Sequence, residues 1–279
     1  MGIKLSLPEN KLEGKISAII LCAGEGKRIS GFIQNIPKPL INIKEKPLLM
    51  HIISNLNIKL LKSIIIITGH LGDEIEQYVS SIEKTNISLY EKIKLIDSGE
   101  NYKKGPLYSF LSITIDRTIL RRNKIFLLIP GDTYFNPDIF PEIFDKILRA
   151  FDAFKTKSLI FYQKIQGNLL KSKADYEKRI SIVKLEQLKS EEIIKEIIQK
   201  KIFEIDDDEE VNQILPIIAF NYKFVNRIID AEKEISVSTI REAVNYIIQQ
   251  KKHVFHAIPI KSHHEFFDID TQSDLINIS

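Results

Sequence analysis

The chain has 279 residues, 44% of them apolar and 28% charged, with a formal net charge of +3. This is the composition of a globular protein able to bury a sizeable core, and its near balance of charge gives no ground for a nucleic-acid or membrane-surface partner. A single cysteine, Cys22, excludes an internal disulfide framework and is compatible with a reducing cytoplasm, while no apolar run reaches the ~18 residues of a membrane helix.

In chain order, buried-strand and amphipathic-helix signals alternate, which points to a layered α/β fold. Ile16–Cys22 reads as a first strand. Pro47–Leu61 reads as a helix carrying Leu48, His51, Ile52 and Leu56 on one stripe, and Ser63–Thr68 as a β-branched buried strand. Asp73–Ile82 is an amphipathic helix, Lys92–Ile96 a strand, and Leu107–Arg117 helical after a polar loop. Lys124–Pro130 is a buried strand ending in Gly131-Asp132, followed by a helix over Pro137–Phe151 and a strand over Ser158–Gln163. Residues 164–214 break the rhythm. They are rich in Lys and Glu, carry weak strand signals at Ile180–Leu185 and Ile193–Ile198, and end in a solvated acidic run, Asp206–Glu210. A hairpin or cap inserted into one domain spanning 1–279 is expected there. Leu215–Asn221 returns to strand, Thr239–Gln250 to helix and Val254–Ile260 to strand, and Thr271 with Asp274 forms a capping-box pattern for a last short helix.

The chemistry concentrates in three places. Residues 18–29 run from an apolar strand through small residues and two glycines into Lys27 and Arg28, and Lys38 follows within Pro37-Lys38-Pro39-Leu40. Gly24 and Gly26 let backbone N–H groups converge on an anion; Arg28 adds a charged fork and Lys38 a point charge. Leu21, Ala23, Gly24, Glu25, Gly26 and Lys27 are thus candidate nucleotide contacts, with Arg28 and Lys38 as catalytic cations. A dinucleotide fingerprint fits poorly, since Ile29 stands where its third glycine belongs. The second place is Asp132, just beyond the carboxyl end of a buried strand, where a hard oxygen donor facing a triphosphate suits Mg²⁺. The third is Phe266-Phe267-Asp268-Ile269-Asp270-Thr271: in an extended segment Asp268 and Asp270 share a face, so Asp268 is the second candidate metal ligand and Asp270 either a third or a helix-start residue.

These segments, in this order, resemble the nucleotidyltransferase superfamily that joins NTPs to sugar, polyol or alcohol phosphates. The resemblance implies a Rossmann-like, glycosyltransferase-A-type α/β/α sandwich with a mixed, mostly parallel central sheet. It rests on Leu21–Arg28 with Pro37–Leu40, Ile67-Thr68-Gly69-His70, Gly131-Asp132, and Asp268-Ile269-Asp270-Thr271. The Gly105-Pro106-Leu107-Tyr108-Ser109 loop is similar to the one that contacts base and ribose in the family, which makes Gly105 and Ser109 candidate nucleoside contacts. Where hexose-phosphate thymidylyl- and uridylyltransferases usually have Glu-Lys-Pro, this chain has Gln199-Lys200-Lys201.

The implied reaction is Mg²⁺-dependent: an acceptor phosphate attacks the α-phosphorus of an NTP and pyrophosphate leaves. The expected partners are an NTP and a small phosphate monoester, with no nucleic acid and no membrane. A molybdopterin- or cobinamide-phosphate guanylyltransferase is the alternative, and a non-catalytic nucleotide-sensing homologue a third reading. Adjacent histidines face opposite sides of a strand, so His263-His264 reads as a surface pair, and Cys22 and His70 read as structural residues.

Overall fold

The structure is a computed structural model that describes residues 13–26, 35–116, 118–120, 124–173, 175–188, 191–250, 254–261, 264–271 and 273–275. It begins with β1 (Ile16–Leu21), buried along almost its whole length. A 3₁₀ turn at Lys38–Leu40 leads to a small hairpin of β2 (Asn42–Ile43) and β3 (Lys46–Pro47), then α1 (Leu48–Asn55). Next come β4 (Leu61–Thr68), α2 (Gly72–Thr85), the single turn α3 (Ile87–Tyr90), β5 (Ile93–Asp97) and α4 (Pro106–Leu111). The chain continues through β6 (Ile125–Pro130), β7 (Thr133–Phe135), α5 (Ile139–Arg149), β8 (Ser158–Gln166) and α6 (Gly167–Lys173). The hairpin β9 (Arg179–Leu188) and β10 (Glu191–Lys201) precedes β11 (Glu210–Phe220). The last described elements are α7 (Tyr222–Ile235), α8 (Ile240–Gln250), β12 (Phe255–Ile260), the short β13 (Phe266–Asp268) and a helical turn at 273–275.

β1 pairs in parallel with both β4 and β6, and β5 extends the sheet beyond β4. On the other side β11 runs antiparallel to β6 and β8, and β12 lies parallel to β8. The spatial order is therefore β5-β4-β1-β6-β11-β8-β12, with β11 alone reversed among these strands. The sheet is mixed and mostly parallel, as expected. Pro216, which has no N–H for the ladder, lies in the irregular stretch of β11 between Ile214 and Ile218. Past it β11 leaves β6 and meets β9 at Gln213↔Ile182, so the β9–β10 hairpin is added beside the far end of the sheet.

The inner strands read as unbroken apolar runs because both faces are covered. Ile20 of β1, Ile64 and Ile66 of β4, and Leu127 and Ile129 of β6 pack into a layer with α1, α2 and α5. Ile19, Ile65, Ile67, Phe126 and Leu128 point the other way, toward α4, α7 and α8. Each such fully buried aliphatic side chain contributes about 1.5–3 kcal/mol relative to exposure. At the outer strand β10, Asn245 of α8 accepts from Ile197 N–H at 2.6 Å and donates to Ile197 C=O at 2.5 Å.

Several expectations need correction. The helix expected over Pro47–Leu61 ends at Asn55, since Leu56 turns extended (ψ 139°) and the chain enters β4 already at Leu61. His51 does not sit in an apolar stripe; its Nε2 donates to Ile43 C=O at 2.7 Å and ties α1 to the small hairpin. Helix α7 was not anticipated. Its buried face is Phe224, Val225, Ile228 and Ala231, and Asn221 caps it by accepting from Lys223 N–H at 2.9 Å. His264 is 4% exposed and within 2.7 Å of Glu142 Oε2, so it is a buried, paired side chain rather than a surface one. His263 lies outside the described residues.

Candidate active site

The carboxyl ends of the parallel strands are stitched together by backbone hydrogen bonds. Cys22 N–H donates to Ile67 C=O (2.8 Å), Gly131 N–H to Leu21 C=O (2.9 Å) and His70 N–H to Ala23 C=O (3.2 Å). Gly131 is required for this closeness: a Cβ there would lie 2.6 Å from both Leu21 O and Cys22 Sγ. Close approach of the exits of β1 and β6 therefore fixes Asp132, the next residue, beside the loop at Ala23–Gly26. Cys22 is 1% exposed, and burial pushes its thiol pKa far up, so it is a packing residue and not a nucleophile.

Gly26 has φ +62°, and a Cβ on it would meet the Lys38 stem at 3.0 Å. The loop thus folds back onto Lys38, held in its 3₁₀ turn between Pro37 and Pro39. Lys38 is 8% exposed, and a lysine buried to this degree needs anionic partners. Its Nζ donates to Asp270 Oδ1 at 2.8 Å and lies 3.6 Å from Asp132 Oδ2. Lys27 and Arg28 lie outside the described residues.

The C-terminal carboxylates arrive by a separate pairing. β13 runs antiparallel to β7, placing Asp268 opposite Thr133, whose Oγ1 donates to Asp268 Oδ1 at 2.6 Å. Ile269 N–H donates to Asp132 C=O at 2.9 Å, joining the two acidic segments directly. Desolvation by the surrounding protein pushes up the Asp132 pKa although 44% of its side chain is open to solvent; Lys38 opposes this, and Asp268 and Asp270 add to it. Burial likewise raises Asp268, against the Thr133 hydrogen bond and the Lys178 charge. Asp132, Asp268, Asp270 and Lys38 therefore share one electrostatic site.

Two further residues brace it. Asp274 Oδ2 accepts from Asp270 N–H (2.9 Å), Thr271 N–H (2.8 Å) and Thr271 Oγ1 (2.9 Å), which is the capping arrangement expected from the sequence. Burial works against its ionisation, but these hydrogen bonds and Lys178 hold its pKa below the usual carboxylate range. Lys178, just before β9, reaches Asp274 Oδ1 at 3.3 Å and donates to Asp268 C=O at 3.0 Å. No local pattern marks Lys178 as part of the site, since its partners lie 90 or more residues away.

The other candidates line the opposite flank. Gly69 packs against Ala23 and Tyr102, and Glu25 lies within electrostatic reach of Lys103, so the segment after β5 adjoins the glycine loop. Gly105 follows that segment, and Leu107 N–H donates to Ser238 C=O at 3.1 Å. Ser109 is 4% exposed within α4. On the Asp268 side a cavity of about 210 Å³ opens between β8, β9, β11 and the approach to β13. Among the described residues no helix is long and apolar enough to cross a membrane.

Comparison with known proteins agrees with this layout. The chain is 32% identical over 124 residues to the bifunctional protein GlmU of Methanocaldococcus jannaschii, covering 44% of this chain and 26% of that one. It is 29% identical over 128 residues to the D-glycero-alpha-D-manno-heptose 1-phosphate guanylyltransferase of Campylobacter jejuni, covering 41% and 57% respectively. The chain thus spans less than two thirds of either relative. The inositol-1-phosphate CTP transferase structure from T. maritima superposes with a TM-score of 0.63 at 15% identity, over 95% of this chain and 96% of that one, a likeness of fold. Residues 18–202 match the sequence model of the MobA-like NTP transferase domain, and they include the glycine loop, Lys38 and Asp132. The chain belongs to the MobA-like NTP transferase domain family.

Proposed function

We propose that the chain is a divalent-metal-dependent nucleotidyltransferase that moves a nucleoside monophosphate from an NTP to a small phosphate monoester and releases pyrophosphate. The observation that carries this reading is the meeting of Lys38, Asp132, Asp268 and Asp270 beside a glycine loop at the carboxyl edge of a parallel sheet. Family membership and the activities of the relatives support the same reaction class.

Asp132 and Asp268 suit Mg²⁺, being hard oxygen donors whose ionised forms are disfavoured chiefly by burial, and at Asp132 also by the Asp268 charge, a cost that a cation would relieve. Among the described residues no three His, Cys, Asp or Glu side chains form a metal cluster, and Mg²⁺ commonly takes just one or two carboxylates beside phosphate oxygens. When bound, the ion supplies neutralisation of phosphate charge. Backbone N–H groups of Gly24–Gly26 would cradle the phosphates, with Ala23 and Glu25 in the same loop and Leu21 at the end of β1; Lys27 would add charge to the same ligand. Lys38 would exchange its contact with Asp270 for the α-phosphate as negative charge builds there. Gly105 and Ser109 would bound the nucleoside side. A phosphate monoester is already largely anionic near pH 7 (second pKa ~6), so no general base is needed, and alignment with charge neutralisation would supply the rate.

A cavity of about 210 Å³ favours a small acceptor over a tricyclic pterin or a corrinoid. The test is a pyrophosphate-release screen of the four NTPs against sugar, inositol, choline and glycerol phosphates, with and without EDTA. Release that requires NTP, acceptor and metal together is expected; no release in any combination overturns the reading.

A further inference from the structure

The acidic site depends on a strand that its own ladder holds weakly. β13 and β7 pair over three residues each, in a two-stranded sheet apart from the main one. Two strands alone are marginally stable in water. A slip of one residue would put Asp268 on the opposite face and bring Phe267 or Ile269 opposite Thr133.

Glu142 grips the chain just ahead of this ladder. It lies in the first turn of α5, a helix seated in the core by Ile139, Phe140, Ile143 and Ile147. Acidic residues in a first turn commonly serve the N–H groups of their own helix. Here both carboxylate oxygens reach beyond it: Oε1 accepts from Lys261 N–H at 3.2 Å, and Oε2 lies 2.7 Å from His264 Nε2. A carboxylate oxygen only accepts, so Nε2 is the donor. Lys261 directly follows β12 of the main sheet, and His264 stands two residues before β13. The His264 and Glu142 side chains are 3% and 15% exposed, which shields their contact from competing water. Asn136 N–H, just past β7, donates to Glu265 C=O at 2.9 Å and carries the grip into the ladder.

We propose, resting on the nucleotidyltransferase reading, that Glu142 and His264 are positioning residues of the reaction. They lock β13 in register on β7 and so set Asp268 beside Asp132. The Thr133 Oγ1 to Asp268 bond (2.6 Å) and the Ile269 N–H to Asp132 C=O bond (2.9 Å) both belong to that register. Both residues act through the strand, at one remove from the reacting atoms. A displacement of about 1 Å in such an arrangement can cost ~100-fold in rate.

The experiment is hydrogen exchange of the full chain, read by mass spectrometry, paired with kcat from pyrophosphate release on variants of His264. Gln places an amide N–H at the reach of Nε2, Asn stops one carbon short, and Leu fills the space without a donor. His264→Leu and His264→Asn should speed exchange at 266–270 at least ~10-fold relative to β1 and β6, and lower kcat at least ~10-fold. His264→Gln should leave both close to wild type. A packing role would instead spare His264→Leu, so Leu behaving like Gln overturns the inference, as does unchanged exchange at 266–270 in His264→Asn. If His264→Leu does not fold, the comparison of Asn with Gln stands alone. The wild type adds a check without any variant: the 266–270 amides must be protected, and exchange at the rate of an unstructured peptide overturns the lock. Exchange that follows the donor without turnover by any NTP would sink the catalytic reading alone. Turnover equal in all three variants while exchange responds would sink the positioning role alone.

Discussion

Removing Asp270 should destabilise the fold as well as impair the reaction. Lys38 is 8% exposed, its direct partner is Asp270 at 2.8 Å, and among the described residues the other carboxylate within 4 Å, Asp132, is at 3.6 Å. Deleting one member of a fully buried pair costs about 3–5 kcal/mol, because the other charge is left uncompensated. The Asp270 side chain is 22% exposed and Asp132 stays nearby, so Asp270→Ala should cost about 2–3 kcal/mol. For a chain of 279 residues that lowers Tm by roughly 3–5 °C. The clean measurement is a double-mutant cycle with Lys38→Met by urea denaturation: once the lysine charge is gone, Asp270→Ala should cost about 2 kcal/mol less than it does in the wild type, and that difference is the coupling. A coupling below about 0.5 kcal/mol would refute the view that Asp270 is what allows Lys38 to be buried charged.

Asp132→Asn should reduce pyrophosphate release far more than tenfold, a barrier increase above about 1.4 kcal/mol, while Tm stays level or rises because a destabilised charge is removed. Asp268→Ala should abolish the Mg²⁺ response in a titration of activity, whereas Asp270→Ala should retain part of it; the reverse order would exchange their assigned roles. The pKa values of Asp132 and Asp268 are raised in the folded state, so in metal-free protein their contribution to stability is present at acid pH and lost as pH rises through those values. Relative to the Asp132→Asn/Asp268→Asn double variant, the wild type should therefore lose Tm as pH rises above the ordinary carboxylate range of about 4, and a pH-independent gap would contradict this. Gly131→Ala should destabilise by about 1–3 kcal/mol in chemical denaturation, since its Cβ would lie 2.6 Å from the immobile Leu21 oxygen.

Much of the fold was legible because β1, β4 and β6 lie buried on both faces, and burial on both faces writes itself as runs such as Ile64–Ile67. The strand exits carrying Gly24–Gly26 and Asp132 followed from those runs. Helix α7 was overlooked although Phe224, Val225, Ile228 and Ala231 have helical spacing, because it follows β11 without glycine or proline to mark the change, and it ends on Ser236 in a left-handed conformation (φ 50°) where a glycine would have signalled the stop. The assembly of the acidic site was harder to read. Alternation places Asp268 and Asp270 on one face, but their meeting with Asp132 depends on β7 pairing with β13, two strands of three residues separated by more than a hundred positions. His264 was misread because strand alternation was applied to a residue that precedes β13 and is drawn inward by Glu142.

The side-chain amide of Asn245 copies what a neighbouring strand's peptide group would offer, one acceptor for Ile197 N–H and one donor for its carbonyl. A tenth strand approaching β10 from another chain would find these two groups already taken and α8 standing in the way. The safeguard is local and conditional: it lasts only while α8 stays docked. Any opening that lifts α8 before the sheet melts would uncover an eleven-residue strand rich in isoleucine, and self-association would then begin from partly opened molecules rather than from native or fully unfolded ones.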